Sequence, residues 1–278
     1  MDALRIERLD GPFGAAVLDV DLREVDEPLA ATLRRAWLEH HVLAFPGQHL
    51  EPAELVRAAA WFGPIGDDPF LGAMAEHAPV VELVREADEA TPLFADVWHS
   101  DWSFLDPPPA GTMLHGVEIP PVGGDTLFAD QHAGYDALPA DLKARIDDLV
   151  GIHSARRGYA RDGLYDDRDA GRAMAILPSD DALATQRHPL VRRHPETGRP
   201  ALFCSLAYTI GIEGMDDDAS LALLVELLAH ATAPEHVLRL RWAPGSVVLW
   251  DNRSVLHAAT GGYAGHRRVL HRLTIAER

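Results

Sequence analysis

The sequence holds a single cysteine, Cys204, so no intrachain disulfide can form and no cysteine cluster can bind zinc. It has no apolar run near the ~20 residues that a membrane-spanning helix requires, which excludes an integral helical membrane protein. The opening residues, Met1-Asp2-Ala3-Leu4-Arg5-Ile6-Glu7-Arg8, lack the apolar stretch of a secretory signal, so a cytoplasmic chain is expected. Internal repeats, low-complexity tracts and Gly/Ser linkers are missing as well, and a single domain over residues 1–278 is expected. Positive charge is in short supply: 25 Lys and Arg stand against 43 Asp and Glu, a net charge of −18. Such a surface repels phosphate backbones and anionic bilayers, which argues against nucleic acid or membrane as a partner. Any small anion bound here must meet local arginines that overcome the field of the whole molecule.

What is present fits an ordinary soluble globular protein, with 278 residues, 47% hydrophobic and 24% charged. Apolar spacing predicts helices from Glu27 to His40 (Leu29, Leu33 and Trp37 on one face), from Pro52 to Phe62, from Leu138 to Val150 and from Asp217 to about Thr232. Short apolar runs predict strands at Val42–Phe45, Val237–Trp242, Ser246–Trp250 and Arg267–Ile275. Residues 156–186, charged and without a clear period, read as a lid or a solvated insertion. Strands gathered around a few helices suggest a mainly β fold, a sandwich or barrel with flanking helices.

Of the 15 histidines, most sit in helical or turn contexts with no carboxylate at ligand spacing. His99 and Asp101 are set apart by their surroundings. Trp98-His99-Ser100-Asp101-Trp102-Ser103-Phe104 is rich in strand formers, and residues two apart in a strand point to one face. Imidazole and carboxylate would then converge. His194-Pro195-Glu196 has the same spacing but lies in a turn sequence running to Pro200. The best third ligand is His257, after the apolar strand Val247–Trp250 and the turn-prone Asp251-Asn252-Arg253. Two histidines and a carboxylate form the facial triad of non-haem Fe(II) oxygenases, and zinc hydrolases use the same donors. Arg268 and Arg272, four apart on the last strand, share a face. Guanidinium groups inside a barrel are costly unless they meet anions. Protein carboxylates can answer them; beside a facial triad, so can a dicarboxylate cosubstrate and an anionic substrate.

Further segments sharpen this into a family resemblance: Phe45-Pro46-Gly47-Gln48, Pro107-Pro108-Pro109-Ala110-Gly111, Gly123-Gly124-Asp125-Thr126, His188-Pro189-Leu190-Val191-Arg192, Trp250-Asp251-Asn252-Arg253 and Arg267-Arg268-Val269-Leu270-His271-Arg272. In order and spacing, over nearly the whole chain, they resemble the TauD/TfdA family of Fe(II)- and 2-oxoglutarate-dependent dioxygenases. The resemblance implies a double-stranded β-helix (jelly-roll) core, with Fe(II) held by His99, Asp101 and His257. It implies that the distal carboxylate of 2-oxoglutarate meets Arg268 and the Thr126 hydroxyl, and that Arg272 grips the acid group of the primary substrate. The implied reaction consumes O2 and 2-oxoglutarate, releases succinate and CO2, and hydroxylates a carboxylate, sulfonate or sulfate ester, cleaving C–O or C–S where the product collapses. Relatives are often dimers or tetramers, which implies a homo-oligomer.

The substrate pocket departs from the taurine branch of the family. Asp68 and Leu71 stand where that branch has histidine and tyrosine, and Ala95 replaces an asparagine. Cys204-Ser205 replaces Val-Asn, and Gly211 replaces a frequent arginine. Taurine is thereby disfavoured. Arg85-Glu86-Ala87-Asp88, Phe104-Leu105-Asp106 and Ile212-Glu213-Gly214-Met215 lean toward the aryloxyalkanoate branch, with Tyr159 and Tyr208 as walls of a larger apolar pocket. Cys204 is expected to be a small buried residue, and His271 to face away from the site. Two alternatives stand beside this reading. A biosynthetic hydroxylase on the same scaffold would use Asp68 to meet the ammonium group of an amino acid. An inactive jelly-roll protein would bind 2-oxoglutarate without turnover.

Overall fold

The computed structural model describes residues 4–166 and 171–277. Its strands are β1 (Arg5–Arg8), β2 (Ala15–Leu18), β3 (Val42–Phe45), β4 (Val81–Arg85), β5 (Gly111–Glu118), β6 (Thr126–Asp130), β7 (Val150–His153) and β8 (Gln186–Pro189). They continue with β9 (Val191–Arg193), β10 (Pro200–Leu202), β11 (Thr209–Ile212), β12 (Val237–Leu240), β13 (Val247–Asp251), β14 (Val255–Ala259) and β15 (Arg268–Ile275). The helices are α1 (Glu27–His40), α2 (Pro52–Ala60), α3 (Gln131–Asp136), α4 (Ala140–Ile146), α5 (Arg156–Tyr159) and α6 (Asp217–Ala231).

A seven-stranded sheet in the order β1-β2-β3-β13-β5-β15-β4 faces a three-stranded sheet in the order β12-β6-β14. Period-two alternation builds the sandwich. Along β13, Val247 and Leu249 join Leu33 and Trp37 of α1 and Leu55, Ala58 and Ala59 of α2 in an outer core. Val248 and Trp250 point the other way and meet Phe128, Leu238 and Leu240 of the small sheet. Neighbouring β15 divides likewise, Leu273 and Ile275 outward and Leu270 inward. This is the expected jelly-roll core with flanking helices. Two further small sheets, β11-β7-β8 and β10-β9, carry α6 on an apolar face that includes Leu223, Leu224 and Leu227.

Local chemistry explains the helix bounds. Asp26 caps α1 by accepting from the Leu29 N–H at 2.9 Å, and His41 ends it with φ +63°, its N–H turned back to the Trp37 carbonyl. Glu51 and Glu54 form a reciprocal capping box at the start of α2. Gly111 opens β5 because the Trp37 ring lies 2.6 Å from where a Cβ would stand. The helix expected over 138–150 is confined to Ala140–Ile146, because the chain turns at Leu149 and Val150 already pairs with Pro189.

Candidate active site

The sandwich opens on a cavity between the two sheets, roofed by aromatic residues. His257 enters it from β14. His99 is brought opposite by one antiparallel bridge to His257, with N···O distances of 3.0 and 2.8 Å. The strand expected across Trp98–Phe104 does not form. Only His99 is paired, and residues 101–104 turn, with Trp102 at φ +46°. The buried Asp101 draws the chain out of extended geometry: its carboxylate accepts from Thr112 Oγ1 at 2.7 Å and from Arg272 Nη1 at 3.1 Å, and its N–H reaches Asn252 Oδ1 at 3.4 Å. A bridge followed by a turn, rather than strand alternation, makes the donors converge.

The ligand atoms of His99, Asp101 and His257 all lie within 4.8 Å of one another, and among the described residues no other group of three His, Cys, Asp or Glu does so. His99 Nε2 is 3.6 Å from Asp101 Oδ1, and His257 Nε2 is 3.7 Å from Oδ2. The Val97 carbonyl, 2.8 Å from His99 Nδ1, fixes the tautomer that leaves Nε2 as a lone-pair donor. Burial opposes ionisation of Asp101, but Arg272, His257 and His99 outweigh it and hold the carboxyl well below its usual range. Burial, with help from His99 and Arg272, pushes His257 down to about 3. An ionised carboxylate beside a neutral His257 imidazole is the protonation state a divalent cation requires.

Thr126 opens β6 and Arg268 opens β15, and both line the cavity. Arg268 has one carbonyl partner, Gly124 O at 3.1 Å, and lies 5.7 Å from the Tyr263 ring centroid. Its Nε is buried without a partner, and among the described residues no carboxylate pairs with it. Burial lowers its pKa, against the pull of Tyr263 and Asp125. Gly124, at φ +70°, admits this guanidinium: a Cβ there would stand 3.2 Å from Arg268 Nε. A half-buried cation with no carboxylate partner among the described residues, lining the same cavity as a hydroxyl, suits a carboxylate.

Arg272 also lines the cavity, but Asp68 does not. Asp68 lies behind Arg272, where Oδ1 accepts from Arg272 Nε at 2.8 Å, Trp102 Nε1 at 2.8 Å and Thr274 Oγ1 at 2.9 Å. The expectation that Asp68 would touch a substrate ammonium is therefore corrected, since its carboxylate is already engaged away from the wall. Tyr159 and Tyr208 are buried in the wall, and burial raises both phenols well above their usual value. Cys204 is buried and its thiol is pushed up to about 12 by burial, as a small packing residue. His271 faces the opposite side of β15, near His115 and Glu82. The expected lid over 156–186 falls partly on residues 167–170, outside the described residues; its described part supplies Tyr159, Arg172 and Met174 to the wall.

The segment Trp250-Asp251-Asn252-Arg253 has a role that its residue types alone do not disclose. Asn252 proves to be a brace: it accepts from Trp250 Nε1 at 2.9 Å and donates to Thr112 Oγ1 at 2.9 Å, the hydroxyl that holds Asp101. Asp251 is fully buried, gripped by Arg253 at 2.7 Å and by His194 Nε2 at 3.0 Å. His194-Pro195-Glu196 is thus structural: His194 binds Asp251, and Glu196 binds Arg253 and Arg34. An aspartate directly after the apolar run Val247–Trp250 is the sequence signal that could have found this brace.

A family model described as taurine catabolism dioxygenase TauD, TfdA family matches residues 5–274. The chain belongs to the TauD/TfdA family. It is 34% identical to the (S)-phenoxypropionate/alpha-ketoglutarate-dioxygenase of Sphingobium herbicidovorans, over 99% of this chain and 95% of that protein. It is 37% identical to the alpha-ketoglutarate-dependent 2,4-dichlorophenoxyacetate dioxygenase of Cupriavidus pinatubonensis, over 94% of each. Among solved structures, a taurine dioxygenase from Burkholderia xenovorans superposes with a TM-score of 0.81 at 32% identity, covering 99% of this chain and 92% of that one. This TauD/TfdA member is an Fe(II)- and 2-oxoglutarate-dependent dioxygenase, with O2 as cosubstrate.

Proposed function

We propose that the primary substrate of this TauD/TfdA dioxygenase is an organic acid with a bulky apolar remainder, an aryloxyalkanoate fitting best, held with its acid group toward Arg272. The observation that carries the reading is the wall itself. Leu71, Leu83, Phe94, Met174 and Tyr208 give it apolar area, while among the described residues arginines outnumber its one carboxylate, Asp101. An amino-acid substrate would find no second carboxylate among the described residues of the wall for its ammonium group. The dichlorophenoxyacetate and phenoxypropionate enzymes among the relatives point the same way.

In this reading His99, Asp101 and His257 hold Fe(II), while Arg268 and Thr126 receive the distal carboxylate of 2-oxoglutarate. The bound metal supplies oxidative decarboxylation of 2-oxoglutarate, giving succinate and CO2, coupled to hydroxylation of the substrate. The chain's own residues position and exclude. Thr112 and Arg272 aim the Asp101 carboxylate. Trp102, Tyr159 and Tyr208 keep water from the reacting face. Both phenols stay protonated, so they orient by hydrogen bonding and do not act as bases. A zinc hydrolase would need a general base beside the metal, and among the described residues the wall offers no carboxylate beyond the ligand Asp101. The enzyme would work in the cytoplasm as a dimer or tetramer, which light scattering tests; no described helix is long and apolar enough to cross a membrane.

The decisive experiment is anaerobic. Protein loaded with Fe(II) and 2-oxoglutarate should show a weak visible charge-transfer band that His99→Ala and Arg268→Ala both abolish. A panel of carboxylates, sulfonates and sulfate esters should then shift that band, aryloxyalkanoates most. A folded protein with no band would overturn the ligand assignment, and a shift confined to amino acids would overturn the substrate class.

A further inference from the structure

Arg272, the arginine assigned to the substrate's acid group, already has a carboxylate of its own. Its Nε donates to Asp68 at 2.8 Å, Nη1 to Asp101 at 3.1 Å and Nη2 to Thr274 Oγ1 at 3.2 Å. A guanidinium has five N–H donors, so these three bonds leave two for a ligand, one on each terminal nitrogen. Asp101 is committed to the metal, which makes Asp68 the counter-ion of Arg272. Asp68 is built into this place: its side chain is 6% exposed, and the same oxygen also accepts from Trp102 and Thr274. Trp102 closes the cage, with its ring 5.3 Å from the Arg272 guanidinium carbon and its backbone at φ +46°. A bulky residue holds that conformation only where its surroundings over-determine it, as they do at ligand clamps.

We propose that Asp68 is a specificity-determining residue: as the resident counter-ion of Arg272 it lowers the site's affinity for the bare anion and moves recognition onto the substrate's apolar part. The inference rests on the substrate reading given above. An acid arriving at Arg272 meets an ion pair of no net charge with two free donors, so compact hydrophilic acids gain little. Acids with an aryl or long alkyl body gain the burial offered by the apolar wall. Asp68 does not touch the substrate; it acts through Arg272.

The test is anaerobic calorimetry of the Fe(II)–2-oxoglutarate complex with phenoxyacetate and its uncharged twin phenoxyacetamide, in wild type, Asp68→Asn and Asp68→Glu. One like charge at ~6 Å is worth about a hundredfold at an effective dielectric of ~20. Asp68→Asn should therefore tighten phenoxyacetate by about ten- to a hundredfold and leave phenoxyacetamide within about threefold, while Asp68→Glu keeps the wild-type ratio. Should the Asn variant fold poorly, Asp68→Ala with added formate serves: formate refilling the vacated position should weaken phenoxyacetate again. An anion-to-amide ratio equal in wild type and Asp68→Asn overturns the proposal, as does phenoxyacetate binding to neither. The substrate reading fails separately, if no acid accelerates succinate formation in wild type.

Discussion

Arg268→Met should move two quantities in opposite directions. In the ligand-free protein the Arg268 charge is answered by one carbonyl and one aromatic face, and its Nε has no partner. Replacing an uncompensated buried charge by an apolar side chain of similar length is neutral or stabilising. The ligand-free variant should therefore melt within about 3 °C of wild type, or above it. Binding of 2-oxoglutarate should suffer instead. A carboxylate held by a guanidinium fork receives two charge-assisted hydrogen bonds, each worth ~1.5–3 kcal/mol net. With part of that recovered by water, the loss comes to about 3–4 kcal/mol, or roughly 200- to 1,000-fold in Kd. Anaerobic calorimetry of 2-oxoglutarate into Mn(II)-loaded protein measures the second quantity, and a melting scan without ligand the first. Arg272→Met is the contrasting control: it strips Asp68 and Asp101 of their shared partner, and breaking a buried pair costs about 3–5 kcal/mol. An Arg268→Met variant that melts far below wild type while binding 2-oxoglutarate unchanged would make Arg268 a structural cation and overturn its assignment to the cosubstrate.

Thr112→Val removes the donor that aims Asp101 Oδ2 and should weaken divalent-metal affinity about 10- to 100-fold, read by competition with a chelating dye. Arg253→Met leaves the fully buried Asp251 with His194 and the backbone N–H of residue 253 but no cation of its own, and should cost about 3–5 kcal/mol in urea unfolding; a loss below ~1 kcal/mol would show the pair to be dispensable. Burial, with His188 nearby, pushes His153 down to about 3, against ~6.5 for the unfolded chain. Because the folded value is the lower one, this stabilisation is complete above pH ~6.5 and is lost progressively as pH falls toward 3. His153→Gln should accordingly reduce the loss of stability between pH ~7 and ~4.5 by about 3 kcal/mol, with an unchanged pH slope counting against it.

Much of the fold was legible in the chain. The bounds of α1 follow from the Leu29-Leu33-Trp37 spacing and the Asp26 cap, and β3 from four apolar residues before Pro46-Gly47. The segment at 98–104 was not legible, because β-forming composition there serves packing: Trp102 and Phe104 turn into the aromatic roof, and tertiary bonds to Asp101 override local propensity. The helix near 140 came out shorter than its apolar pattern, since Leu149 and Val150 belong to the next turn and strand.

By itself the sequence determined which residues could be ligands, because His-x-Asp, a distant His and two arginines four apart are statements about chemistry and chain order. Alternation along β15 also places Arg268 and Arg272 on one face without any knowledge of neighbours. Only the tertiary structure decided which charges are already spent. Asp68 and Arg272 are 204 positions apart, and their 2.8 Å contact exists only because the loop after α2 folds over the end of β15. Arg268, four residues earlier, has no such partner among the described residues. Two arginines alike in sequence thus differ in function, since a buried charge is defined by the groups that surround it and these are assembled from distant parts of the chain.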